Sequence, residues 1–412
     1  MTTASLTRTL SDDTRPAPAL LAGLALCSAV GVGTVYFPQS LVSSVAEQFG
    51  TTEGTASWIV TAPQIGYAVG ILALVPLADS ARPGRLLSWM FRAVALCALV
   101  AAVAPSLAVL VVASFLMGCA TVASPVIGPL AAGRTGAARL GQVNAVVLSA
   151  CIGGIIVGRG LASYLSDWSS WRTPYVVAAV LAAGCAWLGR RLLDDDEPTA
   201  PVARRRLDEP WRRWRRHPRL RRSAVYQACV FAAFTGTWTT LGIAAPHLFG
   251  SATSMAWISL VALATMVLIP WSGRAVDRWG EDRVTNGVLA SMVLAALLLS
   301  GPLWAGPVGL FLLVAGVLVL DLAMQTGTVA NATRIFRIDP TARAAMNTAH
   351  MTFQFAAGGL GSLVAARGYE AVGWWSLPAM MGLLTAIAGA TRWRDARPHT
   401  ADVSTLDPGG TR

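Results

Sequence analysis

The sequence predicts an all-α membrane protein with twelve transmembrane helices arranged as two six-helix bundles. Of its 412 residues, 54% are hydrophobic and 13% are charged, and the mean hydropathy is +0.56. Soluble domains carry about 25% charged residues, so this chain lacks the polar surface that a soluble enzyme needs. Two further observations support the prediction. The chain contains twelve apolar runs, and one Arg-rich stretch separates the first six runs from the last six.

Each apolar run has a length that suits a bilayer-spanning helix. The hydrocarbon core takes about 20 apolar residues, and a helix satisfies its backbone polar groups within its own segment. The first run is too long for a signal peptide, so we expect it to persist as a helix. In the fifth run, Gly153, Gly154, Gly158 and Gly160 predict close helix packing. The predicted spans are 18–38, 56–78, 86–104, 106–127, 142–164, 173–189, 223–245, 253–271, 284–302, 307–330, 344–366 and 372–391.

The basic residues predict the orientation of the chain. All 32 are Arg, against 21 acidic residues, which gives a net charge of +11. When the N-terminus is placed in the cytoplasm and the spans alternate, 28 Arg fall on the cytoplasmic side. Only Arg172 and Arg367 then fall in outer loops. This bias follows the positive-inside rule, and the even number of spans predicts that both termini are cytoplasmic.

A polar stretch between the sixth and seventh runs divides the chain. It begins acidic and then becomes dense in Arg, so no part of it can span a bilayer. We favour a solvated linker whose Arg and Trp side chains rest on anionic headgroups, and a regulatory or nucleic-acid-binding patch is the alternative. We expect no nucleic-acid partner. The predicted segments are a cytoplasmic tail 1–17, a bundle 18–191, the cytoplasmic linker 192–221, a bundle 222–391 and a cytoplasmic tail 392–412.

The two halves repeat a short loop pattern. VPLADSARPGR follows the second run and contains Asp79, whereas GRAVDRWGEDR follows the eighth run and contains Asp277. Internal repetition of this size is typical of secondary transporters, in which two bundles rock about a site near the membrane midplane.

The second loop resembles a known family motif. Residues 273–283 match the GxxxD(R/K)xGxx(R/K) loop of the major facilitator superfamily. The segment 76–79 is similar to the "PLGD" version found in the bacterial drug-efflux-like, drug:proton antiporter branch. Residues 154–172, 231–241 and 321–348 also resemble that branch. The resemblance implies the major facilitator fold, a small-molecule substrate and a place in the bacterial cytoplasmic membrane.

The resemblance also implies a gating role for the loop residues. In the family this loop is a latch that holds the inner gate in one state, because a carboxylate at a helix end can interact with the dipole of another helix. The first copy departs from the motif at Val75 and Ser80, so its latch is expected to be weaker. The predicted gating residues are Asp79, Arg85, Gly273, Asp277, Arg278, Gly280 and Arg283.

Few titratable side chains lie inside the predicted spans. Asp321 is the one carboxylate near mid-membrane, where an ionised group costs roughly 2.5–3.5 kcal/mol. It is a candidate proton carrier or cation contact, and a structural hydrogen bond or pairing with Arg is the alternative. His350 titrates near neutral pH in its free form and is a second proton-coupling candidate, unless it is a satisfied polar group. Arg159 can pair with Asp321, bind an anionic substrate or extend outward to the membrane surface.

A substrate cavity needs apolar walls and a few polar anchors. The available anchors indicate an amphipathic cavity, which favours a hydrophobic or amphipathic substrate. They are Gln64, Arg159, Tyr226, Gln227, Trp238, Thr239, Gln325, Asn347 and Gln354.

The sequence therefore predicts a secondary active transporter that exports a small hydrophobic or amphipathic organic compound by proton-coupled alternating access. An uptake permease for a sugar or related metabolite is the main alternative, and a non-transporting membrane sensor is a further one. The chain has no Lys and no ATP-binding motif, so ATP is not the expected driver. No catalytic cluster predicts an enzyme, and the spacing of the six Cys and four His predicts no metal site. We expect no cofactor, a proton as coupling ion, the bilayer as surroundings and a monomer.

Overall fold

The protein is described by a computed structural model that covers residues 17–78, 82–132, 140–193, 209–249, 253–262, 264–301, 306–339 and 343–396. The first half of the chain contains nine helices within these ranges. They are α1 (Pro18–Tyr36), α2 (Val42–Phe49), α3 (Glu53–Ala56), α4 (Trp58–Ala78), α5 (Pro83–Ala102), α6 (Leu107–Ala120), α7 (Ala123–Ala132), α8 (Leu140–Trp168) and α9 (Thr173–Leu193).

The second half repeats this all-helical pattern after a short helix in the linker. Helices α11 and α13 to α16 pack on one another, as do α1 and α4 to α9 in the first half. The bounds are α10 (Glu209–Arg216), α11 (Pro218–Phe249), α12 (Thr253–Ala262), α13 (Ala264–Leu299), α14 (Pro307–Ile338), α15 (Arg343–Val372) and α16 (Ser376–Ala396).

The predicted fold class is confirmed. Ten described segments are long and apolar enough to cross a membrane, and one of them, with 50 residues, contains both α15 and α16. The break between these two helices lies at Gly373, whose φ of +69° suits glycine. The predicted eighth run falls on α12 and the start of α13, with residue 263 outside the described residues. The structure thus accommodates the twelve predicted crossings.

Three short helices were not predicted. Helices α2 and α3 lie in the loop between the first two spans, and α10 lies in the Arg-rich linker. The linker helix packs on the second half, because the Trp214 ring stacks on Phe353 with centroids 3.7 Å apart. Arg213 also pairs with Asp339 at 2.7 Å. We use the name terminal side for the side where α1 begins and α16 ends, and far side for the opposite one.

The glycines of α8 allow it to lie directly against α1. A Cβ at Gly154 would collide with the carbonyl oxygen of Ala29, and a Cβ at Gly33 would lie 2.8 Å from the Gly154 oxygen. A Cβ at Gly158 would lie 3.3 Å from the Gly33 Cα. The predicted close packing is confirmed for Gly154 and Gly158, whereas Gly153 faces open space.

Replacing Gly154 by Ala is expected to lower the thermal unfolding midpoint of the detergent-solubilised protein. Its Cβ would meet backbone rather than a flexible side chain, and overpacking of this kind costs about 1–3 kcal/mol. Gly153→Ala is the matched control, because its Cβ meets nothing within 4 Å and Ala favours a helix by about 1 kcal/mol over Gly. Equal midpoints for the two variants would contradict the observed packing.

The two halves meet along α4 and α15. The Thr61 hydroxyl donates to the Gly359 carbonyl oxygen at 3.2 Å. The rings of Tyr67 and Phe355 lie 4.2 Å apart between centroids. Because glycine leaves the α15 backbone uncovered at this point, a side chain of α4 can bond directly to it.

Further contacts close the far side. Ser43 Oγ donates to the Ile243 carbonyl oxygen at 3.4 Å, and Arg367 Nη2 donates to Thr55 Oγ1 at 3.4 Å. Helix α12, which begins at the far side, packs against α8. These hydrogen bonds between the halves lie between mid-span and the far side. In this structure the two halves are therefore in contact at the far side, and we call this the joined arrangement.

Candidate functional site

Arg159 is buried where α8 meets the first half's far-side loop. Its side chain is 1% exposed, and its Nε donates to Gln39 Oε1 at 2.7 Å. Gln39 belongs to the short 3₁₀ turn Phe37–Ser40 that follows α1. Ser40 Oγ donates to the Arg159 carbonyl oxygen at 3.1 Å, so the turn holds both the backbone and the side chain of Arg159.

Three aromatic rings surround the Arg159 guanidinium. Its Cζ lies 4.0 Å from the ring centroid of Trp238, 5.3 Å from that of Phe234 and 5.4 Å from that of Tyr36. Trp238 and Phe234 come from α11 in the second half, whereas Tyr36 comes from α1 in the first. A desolvated cation over an aromatic ring gains about 2 kcal/mol, so these contacts stabilise the joined halves.

Trp238 also connects Arg159 to Asp321. The indole Nε1 donates to Asp321 Oδ1 at 3.1 Å, while the face of the same indole lies against the guanidinium. Asp321 is 6% exposed on α14, and it is the one buried carboxylate among the residues that the structure describes. The Trp238 side chain thus contacts both a positive charge of the first half and a negative charge of the second half. We call these three residues the Arg159–Trp238–Asp321 bridge.

Two donors beside this bridge have no acceptor. Arg159 Nη2 and Gln39 Nε2 are buried and make no hydrogen bond with the described part of the protein. An unsatisfied buried donor costs about 1–3 kcal/mol. Both donors lie beside the contact between the Arg159 side chain and the 3₁₀ turn.

A second group of polar side chains lies between α11 and α14, nearer the terminal side. Gln227 Nε2 donates to Thr328 Oγ1 at 2.9 Å, and Asn331 Nδ2 donates to Gln227 Oε1 at 3.1 Å. Arg334 Nη1 then donates to Asn331 Oδ1 at 2.7 Å. We call these four residues the inner polar cluster. Gln227 was a predicted cavity anchor, and here it organises contacts within one half.

Gln64 lies at the contact between the halves. It is fully buried on α4, and its Nε2 donates to Ser362 Oγ on α15 at 3.2 Å. Its Oε1 has no partner in the described residues. Because Ser362 in turn donates to the Gly358 oxygen at 3.1 Å, Gln64 belongs to the far-side closure.

Four other predicted anchors lie apart from the bridge contacts. The Thr239 hydroxyl donates to the α11 carbonyl one turn earlier at 2.8 Å, and the Asn347 amide contacts the Met sulfur one turn later at 3.4 Å. Gln325 is half-buried one turn beyond Asp321, towards the terminal side, and Gln354 is buried on α15.

The proton-coupling candidate His350 and the predicted cavity anchor Tyr226 lie nearer the terminal side. His350 is 3% exposed on α15, and its Nδ1 has no hydrogen-bond partner among the described residues. Tyr226 is buried on α11, and Arg334 Cζ lies 5.6 Å from the centroid of its ring. Tyr226 therefore adjoins the inner polar cluster rather than the bridge.

The predicted charged gating residues of the second half lie on the surface of the loop. Asp277, Arg278 and Arg283 are exposed, and Asp277 makes no ion pair within the described residues. The neighbouring Glu281 and Asp282 are the ones that pair, with Arg side chains at the ends of α14 and α16. A latch through Asp277 is thus not engaged in the arrangement joined at the far side.

The glycines of the motif fit their positions. Gly280 has a φ of +79° and separates two helical parts of α13, a conformation that side chains rarely adopt. A Cβ at Gly273 would face open space. In the first copy, Arg85 is exposed near the start of α5, and Asp79 lies outside the described residues.

The comparisons with known proteins identify the family. Residues 19–247 match the Major Facilitator Superfamily. The chain belongs to this superfamily. The uncharacterized transporter YgaY of Escherichia coli O157:H7 is 30% identical over 361 residues, which cover 87% of this chain and 90% of that protein. The probable transporter SCO4007 of Streptomyces coelicolor is 31% identical over 386 residues, which cover 91% and 87% of the two chains.

Solved structures show the same fold. The crystal structure of the nucleoside transporter NupG superposes with a TM-score of 0.72, covering 92% of this chain and 99% of that one at 15% identity. A D323A mutant of NupG also gives 0.72, covering 91% and 98% at 16% identity. At these identities the likeness shows the fold alone. This major facilitator protein is thus a multi-pass membrane transporter, with a small molecule as its substrate.

Sequence reasoning found both charges of the bridge but missed part of their surroundings. Tyr36, Gln39 and Phe234 were not predicted, although Gln39 follows Pro38 at the end of the first span. Proline lacks a backbone N–H and interrupts a helix, so Pro38 is a sequence signal for the 3₁₀ turn that follows α1. In the part of the chain that the structure describes, no group of three or more His, Cys, Asp or Glu side chains could hold a metal ion.

Proposed function

We propose that this major facilitator protein is a proton-coupled exporter of a small apolar or amphipathic organic compound, and that it acts as a monomer with both termini in the cytoplasm. The observation that carries the proposal is the Arg159–Trp238–Asp321 bridge. It joins one fixed positive charge of the first half to one titratable negative charge of the second. Because this contact depends on the protonation state of Asp321, binding or release of a proton can change how the two halves are arranged.

The coupling step follows from the chemistry of the two charges. Arg does not release its proton in proteins, so Arg159 stays positive throughout the cycle. Asp321 can be ionised or neutral, and the ionised form is attracted to Arg159 through the indole. Protonation of Asp321 removes this attraction and weakens the far-side closure. Loss of the proton restores the attraction and favours the joined arrangement.

Polar side chains of α14 supply a route between Asp321 and the terminal side. Gln325 lies one turn beyond Asp321, and Thr328, Asn331 and Arg334 follow at intervals of three residues. Three of these residues belong to the inner polar cluster. The half-buried Gln325 lies along α14 between Asp321 and that cluster, so we propose that protons leave Asp321 towards the terminal side.

The distribution of Arg supports a cytoplasmic terminal side. The tails, the linker and the inner loops hold 28 of the 32 Arg residues, as the positive-inside rule requires of cytoplasmic segments. With this orientation, the far side faces outward. The arrangement described above is then inward-facing, because its contacts between the halves lie at the far side.

The composition of the seam, by which we mean the contact between the two halves, supports an apolar or amphipathic substrate. Phe231, Phe355 and Tyr67 pack together between the halves, with centroids 4.2–5.1 Å apart. Gln64 adds an uncharged polar group close by, because its Oε1 and the Phe231 ring both lie beside Gly358. Binding sites for organic compounds combine apolar and aromatic walls with few polar anchors, as this seam does.

We also propose that the loop at 273–283 acts in gating. The exposed Asp277, Arg278 and Arg283 are available to pair with the first half when the terminal side closes. Asp79 and Arg85 are the corresponding residues of the first half. His350, buried on the terminal half of α15, is a secondary proton-coupling candidate.

Flux through the purified protein in proteoliposomes tests the proposal. A pH gradient is imposed, and the panel contains lipophilic antibiotics, lipophilic dyes, sugars and nucleosides. We expect transport of a lipophilic compound, driven by inward proton flow and abolished by a protonophore. Gradient-driven accumulation of a sugar or nucleoside with the proton would instead identify an uptake permease. Flux that is the same with and without the gradient would exclude proton coupling.

A further inference from the structure

The terminal side of the second half contains a strongly basic cavity. It has a volume of about 390 Å³ and is lined by the guanidinium groups of Arg219, Arg222, Arg334, Arg337 and Arg392. These residues come from the start of α11, the end of α14 and the end of α16. The cavity contains no residue of the bridge and no predicted gating residue, and it shares Arg334 with the inner polar cluster and Tyr226 with the predicted substrate anchors.

The acidic residues of the cavity do not balance this charge. Glu281 and Asp282 also line it, so five guanidinium groups face two carboxylates and three positive charges remain. Both carboxylates are already engaged. Glu281 Oε2 accepts from Arg337 at 2.8 Å, and Asp282 Oδ1 accepts from Arg334 at 3.0 Å.

Arg334 fixes the inner wall of the cavity. Its side chain is 11% exposed, and it also donates to Thr285 Oγ1 at 2.8 Å and to the Glu281 carbonyl oxygen at 3.1 Å. Arg392 is held by Asn286 Oδ1 at 3.0 Å. With the Arg337–Glu281 pair, three of the five charges are therefore held in place, which reduces the entropy lost when an anion binds.

Two exposed Trp side chains beside the cavity indicate that it lies at the depth of lipid headgroups. Trp279 and Trp393 are 54% and 61% exposed, and each adjoins or nearly adjoins a cavity residue in sequence. Exposed Trp side chains of membrane proteins are enriched at the membrane–water interface. Basic pockets between helices at this level bind anionic headgroups, and the Arg fork matches phosphate oxygens.

We infer that this cavity is a binding site for a phosphate-bearing anion. The phosphate belongs either to the headgroup of an anionic phospholipid or to a free phosphate ion, since both present the same oxygens to the guanidinium groups. The occupied site ties the ends of α11, α14 and α16 together, so the bound anion stabilises the second half. This inference does not depend on the substrate, the direction of transport or the coupling ion.

Thermal unfolding of the full chain in a neutral detergent tests the inference. The protein is titrated with dioctanoyl phosphatidylglycerol, with dioctanoyl phosphatidylcholine and with sodium phosphate, and sodium chloride of equal ionic strength is the reference. We expect a saturable rise of the unfolding midpoint with phosphatidylglycerol and none with phosphatidylcholine. A similar rise with sodium phosphate assigns the site to free phosphate as well, and no rise with it assigns the site to the lipid.

The variant Arg219→Gln/Arg222→Gln removes two cavity charges outside the Arg334 contacts. Each surface Arg contributes enough to anion binding that we expect the half-maximal concentration to rise roughly tenfold or more. Arg219→Lys/Arg222→Lys keeps the charge but loses the forked guanidinium group. Its half-maximal concentration should lie between that of the unchanged protein and that of Arg219→Gln/Arg222→Gln. Arg216→Gln/Arg221→Gln is the matched control, because both residues are exposed near the same helix start and do not line the cavity.

Two results would overturn the inference. The first is a rise of the midpoint that sodium chloride reproduces at equal ionic strength. The second is an unchanged response in Arg219→Gln/Arg222→Gln, which would place the anion elsewhere, for example in the cavity lined by Arg92, Arg190 and Arg191 in the first half.

Discussion

Asp321→Asn is expected to abolish transport driven by a pH gradient while the protein still folds and reaches the membrane. The amide keeps the shape of the side chain and an oxygen that can accept from Trp238 Nε1, whose distance to Asp321 Oδ1 is 3.1 Å. It cannot bind and release a proton. Gradient-driven flux in proteoliposomes should therefore fall to the level of empty liposomes. Exchange of substrate between the two sides, which needs no net proton transfer, should persist.

Glu47→Gln is the matched control for this variant. It removes one carboxylate from an exposed position of α2, and its flux should equal that of the unchanged protein. Undiminished gradient-driven flux in Asp321→Asn would remove Asp321 from the coupling mechanism. Loss of both gradient-driven flux and exchange, with normal membrane insertion, would make Asp321 a substrate contact or a structural residue rather than a proton carrier.

The two charges of the bridge were accessible to sequence reasoning because each is an exception in its span. Asp321 is a carboxylate in the middle of an apolar run, and Arg159 is a cation near the end of another. The cost of burying a charge singles out such residues. Their connection through Trp238 was not accessible, because Trp238 lies 83 positions from Asp321 and the contact depends on how α11 is rotated.

The loop at 273–283 illustrates another limit of the sequence. Its motif placed a glycine at position 280 without predicting the kink there, and it did not indicate that Glu281 and Asp282, rather than Asp277, form the ion pairs among the described residues. A motif is defined over all states of a transport cycle, whereas one structure contains the contacts of one state. The exposure of Asp277 is what a latch at the terminal side requires when the far side is joined.

The short helix α10 escaped prediction for a different reason. Its eight residues are almost all Arg, Trp and Pro, with no apolar periodicity beyond two Trp side chains. Short helices are stabilised by tertiary contacts rather than by intrinsic propensity. The stacking of Trp214 on Phe353 and the pairing of Arg213 with Asp339 supply those contacts from residues more than 100 positions away.

Neutralising both ends of the bridge is expected to destabilise the protein less than the sum of the two single changes. In Arg159→Met, Asp321 remains buried without its positive neighbour, and removing one partner of a buried charge pair costs about 3–5 kcal/mol when the pair is direct. In Arg159→Met/Asp321→Asn, this uncompensated charge is absent. The free energies of unfolding, measured by SDS titration in mixed micelles, should show a coupling of about 1–3 kcal/mol between the two positions.

This double-mutant cycle compares the unchanged protein, the two single variants and the double variant. It separates charge coupling from packing because Trp238 is present in all four proteins. Losses that simply add would mean that the indole screens the two charges from each other, and the bridge would then be two independent contacts with one ring. A coupling that persists in a Trp238→Phe background would show direct attraction between guanidinium and carboxylate. A coupling that disappears there would assign it to the Nε1 hydrogen bond, since phenylalanine keeps a ring face for Arg159 and removes only the donor to Asp321.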